Sequence, residues 1–76
     1  MAAMNEMQGV RILRRRQVEG LVGLRRSAIY AAVRAGTFPR PIHLGPRAVG
    51  WLEHEVNGWI ARRVAESRPG TVEVRP

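Results

Sequence analysis

The chain has 76 residues, with thirteen arginines against six glutamates, a formal net charge of +7 and a pI near 11.8. Lysine, aspartate and cysteine are all absent. A chain this short forms one small domain and has no room for an enclosed substrate pocket beside its core. Without cysteine, neither a disulfide framework nor a thiolate metal site can supplement that core. The basic excess favours nucleic acid as the partner, because the planar donors of arginine suit phosphates and guanine edges.

The organised domain is predicted at residues 10–66. Residues 1–9 are expected to be a flexible lead, and residues 67–76 a flexible tail, because the Pro-Gly pair at 69–70 stops a helix. The lead lacks the basic and apolar regions of a secretion signal, and no apolar run approaches the roughly 20 residues of a membrane span. These features predict a cytoplasmic, nucleoid-associated protein with no membrane partner.

The beginning of the domain predicts a short β-like run followed by a helix. The run is VRIL at 10–13, and after it Val18, Leu21 and Val22 are spaced i, i+3, i+4. This spacing predicts a first amphipathic helix that ends at Gly23, in the position of a C-terminal cap.

A second helix is predicted from about Arg26 to Ala35, with Gly36 ending it. At 100° per residue its inner arc holds Ala28, Ile29, Ala32 and Val33. Its outer arc holds Arg26, Ser27, Tyr30, Ala31 and Arg34. Two helices separated by about three residues that include glycine have the spacing of a helix-turn-helix.

A third helix is predicted from a continuous apolar stripe formed by Leu52, Val56, Trp59, Ile60 and Val64. Glutamates in its first turn and arginines in its last turn agree with the helix dipole. Trp51 and Trp59 lie on apolar stripes, which favours the core over a stacking platform for single strands.

Between the second and third helices the apolar residues alternate, with Ile42 and Leu44 before the GPR turn at 45–47, and Val49 and Trp51 after it. This pattern predicts a β-hairpin whose single apolar face closes over the helix pair. The tip and outward side of the hairpin then present three basic residues, Arg40, His43 and Arg47. The predicted fold is mainly α with a small β-hairpin: a winged helix-turn-helix of three helices plus a wing.

Three segments carry a family resemblance: VGLRRSAIY at 22–30, AGTFPRPIHLGPRAVGW at 35–51 and EHEVNGWI at 53–60. Together they resemble the AlpA family of phage and prophage regulators, small winged-helix proteins related to excisionases and to the MerR-type DNA-binding fold. The specific feature is the order F-P-x-P, G-P-R-A-V-x-W, E-x-E-V. The resemblance covers nearly all of residues 11–65. It implies double-stranded DNA binding in transcriptional regulation, or in directing excisive recombination of a phage or integrated element.

The main departure from the family pattern lies just before the second helix. The family usually has serine or threonine just before the second helix, where the hydroxyl caps the free amides. Arg25 stands there in this chain. The cap is then expected from Ser27, from water or from a DNA phosphate.

If the second helix enters the major groove, the expected contacts are Arg25, Arg26, Ser27, Tyr30 and Arg34. Arg26 lies at the N-terminal end and can bracket a guanine through O6 and N7. The alternatives are a partly buried surface aromatic for Tyr30 and a solvated charge for Arg34.

The wing is expected to contact the adjacent backbone or the minor groove through Arg40, His43 and Arg47. An ion pair with Glu53 or Glu55 is the alternative for Arg47, and an ordinary exposed strand histidine is the alternative for His43. Further backbone contacts are expected from Arg14, Arg15 and Arg16, for which a solvated charged face is the alternative.

The residues offer no catalytic or metal-binding set. His43 and His54 have no cysteine or aspartate to join them, and Ser27 has no His-acid partner. The sequence therefore predicts a protein that is not an enzyme and uses no cofactor or metal. Its predicted partner is double-stranded DNA, and the further candidate partners are a second copy binding cooperatively, an integrase and RNA polymerase. Two alternatives stay open: a basic RNA-binding protein, and a phage assembly or protein-interaction module with a helix-turn-helix-like fold.

Overall fold

The computed structural model describes residues 10–68, and it places three helices and three short strands in that range. In chain order they are β1 (Ile12–Leu13), α1 (Arg15–Val22), α2 (Arg26–Ala35), β2 (Ile42–Gly45), β3 (Ala48–Leu52) and α3 (Glu53–Ser67). This mainly helical architecture with a small antiparallel sheet is compatible with a winged helix-turn-helix, so the predicted fold class is confirmed. The predicted lead and the tail beyond residue 68 lie outside the described residues. Within the described range, no helix is both long and apolar enough to cross a membrane.

The two glycines predicted to end α1 and α2 both have left-handed backbone conformations. Gly23 has a φ of 75° and Gly36 a φ of 81°. At the end of α2, the Gly36 N–H donates to the Val33 carbonyl at 3.0 Å, and the Thr37 N–H donates to the Ala32 carbonyl at 2.9 Å. A side chain at either glycine would strain this conformation. The caps thus fix the turn between the two helices and the exit of the chain toward its proline-rich segment.

β3 is the central strand of a three-stranded sheet with the order β1-β3-β2, and both pairings are antiparallel. The predicted β-like run supplies β1, in which Leu13 pairs with Trp51 and Ile12 with Leu52. The predicted hairpin is present as β2 and β3. Because β1 comes from the start of the domain, the sheet joins the wing to the chain segment that leads into α1.

The expectation of one apolar face on the hairpin is wrong. Ile42 pairs with Gly50 and His43 with Val49, and a register shift lies between His43 and Gly45. A one-residue shift moves every side chain of a strand to the opposite face. Ile42 therefore lies on the opposite face of the sheet from Val49 and Trp51. Leu44 lies with Ile42, since its Cδ1 is 3.1 Å from where a Cβ on Gly50 would be. Ile42 and Leu44 are 36% and 45% exposed.

The core is centred on Trp51, which is completely buried. Its indole N–H donates to the Pro39 carbonyl at 2.8 Å. Tyr30 and Phe38 meet its ring edge-on, with centroids 6.0 and 6.5 Å away. Trp59 continues the cluster, with its ring 5.0 Å from that of Phe38. Both tryptophans were predicted as core residues, and the structure packs α2, the proline-rich segment, β3 and α3 around them.

Trp59 of α3 also anchors the proline-rich segment. Its indole N–H donates to the Thr37 carbonyl at 2.8 Å, and its ring is half-buried. Two indole donors, on Trp51 and Trp59, thus hold the carbonyls of Thr37 and Pro39. This anchoring explains how a segment without helical or strand hydrogen bonds can hold the wing in place.

Three apolar residues are more exposed than the helical patterns of the sequence predict. Leu21 in α1 and Val64 in α3 are exposed, and so is Ala28 on the arc of α2 predicted to face inward. Val64 lies in the last two turns of α3, where residues 61–67 are all exposed because the helix extends beyond the body of the domain. Tyr30, predicted on the outward arc, is half-buried instead because its ring packs against Trp51.

Replacement of Trp51 by phenylalanine is expected to lower the free energy of unfolding by about 2 kcal/mol. The substitution removes the hydrogen bond to Pro39 and leaves space in a fully buried site. Trp59→Phe is the matched control: it loses an equivalent bond at a more exposed position, and about 1 kcal/mol is expected. Thermal unfolding measures both, since 1 kcal/mol shifts the Tm of so small a domain by about 4–8 °C. An equal or larger loss in Trp59→Phe would contradict the central role of Trp51.

Candidate nucleic-acid interface

The outward side of α2 and the beginning of α1 border one open groove, called here the α2 groove. It is lined by Arg15, Glu19, Arg25, Arg26, Ser27, Tyr30 and Arg34. All five residues predicted on the recognition helix therefore lie together, and one residue of the predicted N-terminal arginine run joins them. The helical period brings positions 26, 27, 30 and 34 to the same side of α2.

The α2 groove is strongly basic. Four arginines face a single glutamate, and that glutamate is neutralised by Arg15, whose Nη1 lies 2.8 Å from the Glu19 carboxylate. Arg25, Arg26 and Arg34 are exposed and form no ion pair within residues 10–68. Three uncompensated guanidinium groups on a concave surface attract phosphate and leave their donors available to it.

Arg26 is the one arginine of the α2 groove with an aromatic contact among the described residues. Its Cζ lies 5.7 Å from the centroid of the Tyr30 ring, one helical turn later. This separation lies within the range of a cation–π interaction. Because Tyr30 also packs against Trp51, Arg26 is connected to the core through a single ring.

The N-terminus of α2 carries no side-chain cap. Arg25 occupies the cap position with φ −88° and ψ 169°, and its side chain makes no capping hydrogen bond. Arginine has donors only, so it cannot accept a hydrogen bond from the free amides. Within residues 10–68 Ser27 does not supply the cap either. The free amides thus lie beside the α2 groove, where the helix dipole favours an anion.

The three consecutive arginines at positions 14–16 lie in different surroundings. The Arg14 Nε donates to the Val49 carbonyl at 3.2 Å, which ties the beginning of α1 to strand β3. Arg15 pairs with Glu19 in the α2 groove, and Arg16 is exposed beside it. The bond of Arg14 joins residues 35 positions apart, and no local pattern in the sequence indicates it.

The predicted wing residues do not all lie together. Arg47 is exposed in the turn between β2 and β3 and makes no ion pair within residues 10–68. Glu53 pairs instead with Arg11 at 3.6 Å, so the alternative of an Arg47–Glu53 pair is wrong. The described residues show no Arg47–Glu55 pair either. Arg47 is therefore an open cation at the tip of the hairpin.

Arg40 and His43 border a different surface, called here the α3 groove, between the proline-rich segment and α3. The other basic residues that line it are His54, Arg62 and Arg63. Arg63 lies over the Trp59 ring at 5.3 Å and pairs with Glu66 at 3.5 Å. Sequence reasoning did not single out Arg62 and Arg63, which line this surface from α3 and are both exposed. No three His, Cys, Asp or Glu side chains of residues 10–68 are grouped to hold a metal ion.

Substitution of Arg25 by serine is expected to raise the free energy of unfolding by about 1 kcal/mol, because a serine hydroxyl can cap the free amides of α2. The measurement is the Tm, which should rise by about 4–8 °C. Arg16→Ser is the control: it removes the same charge from an exposed position within α1, where serine caps nothing and is a weaker helix former. An unchanged or lower Tm in Arg25→Ser would show that the amides are already satisfied.

Comparison with known proteins places the chain in a family. The family model described as "Prophage CP4-57 regulatory protein (AlpA)" matches residues 11–64, most of the chain. The chain is similar to the uncharacterized protein ORF88 of Enterobacteria phage P4, with 45% identity over 60 residues that cover 79% of this chain and 68% of the phage protein. It is also similar to the DNA-binding transcriptional activator AlpA of Escherichia coli strain K12, with 36% identity over 66 residues that cover 79% of this chain and 94% of that protein. The chain therefore belongs to the AlpA family of phage regulators, the family that its motifs resemble.

Proposed function

We propose that this chain is a sequence-specific double-stranded DNA-binding protein that regulates a phage or integrated element. It acts as a transcriptional regulator or as an excisionase-like factor that directs recombination. The observation that carries the proposal is the α2 groove, where the exposed face of a helix-turn-helix gathers four arginines beside a single paired glutamate. The description of the E. coli relative as a DNA-binding transcriptional activator supports the same function.

In this proposal α2 enters the major groove. Its ten residues give a rod about 15 Å long, and the major groove, about 12 Å wide, admits a helix. Arg26 and Ser27, at the N-terminal end, meet base edges, and Tyr30 and Arg34 follow along the groove. The uncapped amides beside Arg25 receive a phosphate, which adds a contact that needs no side chain.

The wing and the beginning of α1 contact the flanking backbone. Arg47 at the hairpin tip contacts phosphate or the minor groove, and Arg40 and His43 extend the contact on the side of the α3 groove. Arg16 contacts the backbone beside α2. Arg14 is expected to act partly through position, since its bond to Val49 joins the wing strand to α1.

A single α2 covers too few base pairs to specify a site. We expect several copies to bind cooperatively at repeated or bent sites, where a contact between neighbouring copies makes the second binding event effectively intramolecular. An integrase or RNA polymerase is the protein partner expected for the two regulatory roles.

The dependence of DNA affinity on salt tests the electrostatic part of the proposal. If five or six phosphates are neutralised, log K is expected to fall with log[salt] with a slope of about −5. The measurement is fluorescence anisotropy with labelled duplex DNA at several salt concentrations, repeated with duplex and single-stranded RNA as competitors. A slope near zero would contradict a phosphate-based interface, and stronger competition by RNA would favour the RNA-binding alternative.

Single arginine substitutions test where the DNA lies. Arg26→Ala is expected to weaken binding to a preferred site by about 5- to 150-fold, the range of a lost base contact. Arg47→Ala is expected to weaken all duplexes alike and to make the salt slope shallower by about one unit. Arg62→Ala removes the same charge from the α3 groove and serves as the matched control. Equal effects of all three substitutions would indicate a non-specific charge effect, and no effect of Arg26→Ala or Arg47→Ala would favour the protein-interaction alternative.

A further inference from the structure

Arg26 differs from the other arginines of the α2 groove in how it is held. Its guanidinium lies over the Tyr30 ring, and within residues 10–68 its side chain makes no hydrogen bond or ion pair. Arg25 and Arg34 have no such aromatic contact in the described part of the chain. Stacking engages the face of a guanidinium, whereas its N–H donors point outward in its plane. Arg26 can therefore lie over the ring and still present its donors to a base.

The Tyr30 ring is itself held by a contact with the core. It meets the Trp51 ring edge-on at 62°, and Trp51 is completely buried with its indole N–H bonded to Pro39. A series of contacts thus runs from the proline-rich segment through two aromatic rings to one guanidinium on the exposed face of α2. Since each ring has few rotatable bonds, this series restricts where Arg26 can lie.

We propose that Tyr30 is a positioning residue for base recognition: it holds Arg26 so that its donors meet the O6 and N7 of a guanine. This inference rests on the proposed function, and it adds that Tyr30 helps to determine the base specificity of DNA binding. A free arginine loses much rotamer freedom when it makes a bidentate contact, and an arginine already held by a ring loses less. Arg25 and Arg34, without a ring, supply charge to the interface and little choice of base.

A direct contact of the tyrosine hydroxyl with phosphate is the competing role, and two substitutions separate it from positioning. Tyr30→Phe keeps the ring and removes the hydroxyl, so specificity is expected to remain. Tyr30→Leu keeps apolar volume against Trp51 and removes the π face that attracts the guanidinium. Specificity is then expected to fall.

The test uses a DNA site selected by the wild-type protein from a randomised duplex pool. Each guanine of that site is replaced in turn by 7-deazaguanine, which pairs normally but lacks N7. For wild-type protein we expect one replacement to weaken binding about tenfold, and for Arg26→Ala the same replacement to have no effect. In Tyr30→Leu the penalty should fall to about threefold or less, and in Tyr30→Phe it should stay at about tenfold.

The outcomes separate the two proposals. If no preferred sequence is selected, the sequence-specific function fails, whatever the role of Tyr30. If Arg26 reads a guanine and Tyr30→Leu retains the full 7-deazaguanine penalty, the positioning role is overturned. If Tyr30→Phe loses the penalty, the hydroxyl is required and positioning by the ring is overturned as the explanation.

A measurement on the free protein tests the position of Arg26 without DNA. If Arg26 lies over the ring, the δ protons of its side chain are expected to be shifted upfield in the NMR spectrum of the wild-type protein, relative to those of Arg25. Tyr30→Phe should keep the shift, and a folded Tyr30→Leu should abolish it. Arg26 protons at the same position as those of Arg25 in the wild-type protein would overturn the inference directly.

Discussion

The buried indole of Trp51 is the contact on which the rest of this small structure depends. Its ring packs on Tyr30 and Phe38, and its N–H bonds to the Pro39 carbonyl. The strand that carries it pairs with β1 on one side and with β2 on the other. One side chain therefore sets the relative positions of α2, the proline-rich segment and the wing. Because so few side chains of this domain are completely buried, no other core contact can replace that of Trp51.

This arrangement explains why the segment between α2 and β2 is rich in proline. Pro39 and Pro41 lack amide hydrogens, so the segment needs few hydrogen-bond partners, and its fixed φ angles lower the entropy cost of ordering it. The carbonyls of Thr37 and Pro39 are bonded by the two indole groups. The base of the wing is thus anchored by two tryptophans. Arg47 is exposed at its tip.

Local patterns predicted much of this structure, and long-range geometry accounts for what they missed. The bounds of α2 and its closing Gly36 follow from side-chain periodicity and from the backbone freedom of glycine, both of which are local. The face of the sheet on which Ile42 lies depends instead on a register shift near Gly45. The alternation of apolar residues in the sequence cannot reveal that shift. That the candidate residues of α2 lie together could be predicted, because one helical face gathers them. The separation of Arg40 from that face, and the bond of Arg14 to Val49, depend on how distant segments pack.

The α2 groove is the surface that we propose receives double-stranded DNA. The most direct measurement is a map of backbone amide shifts in ¹⁵N-labelled protein during titration with a duplex. We expect the largest changes at the amides of residues 25–30, which begin α2, and at the hairpin tip around residues 46–47, with small changes along residues 60–66 of α3. The largest changes on α3, with the beginning of α2 unaffected, would contradict the account.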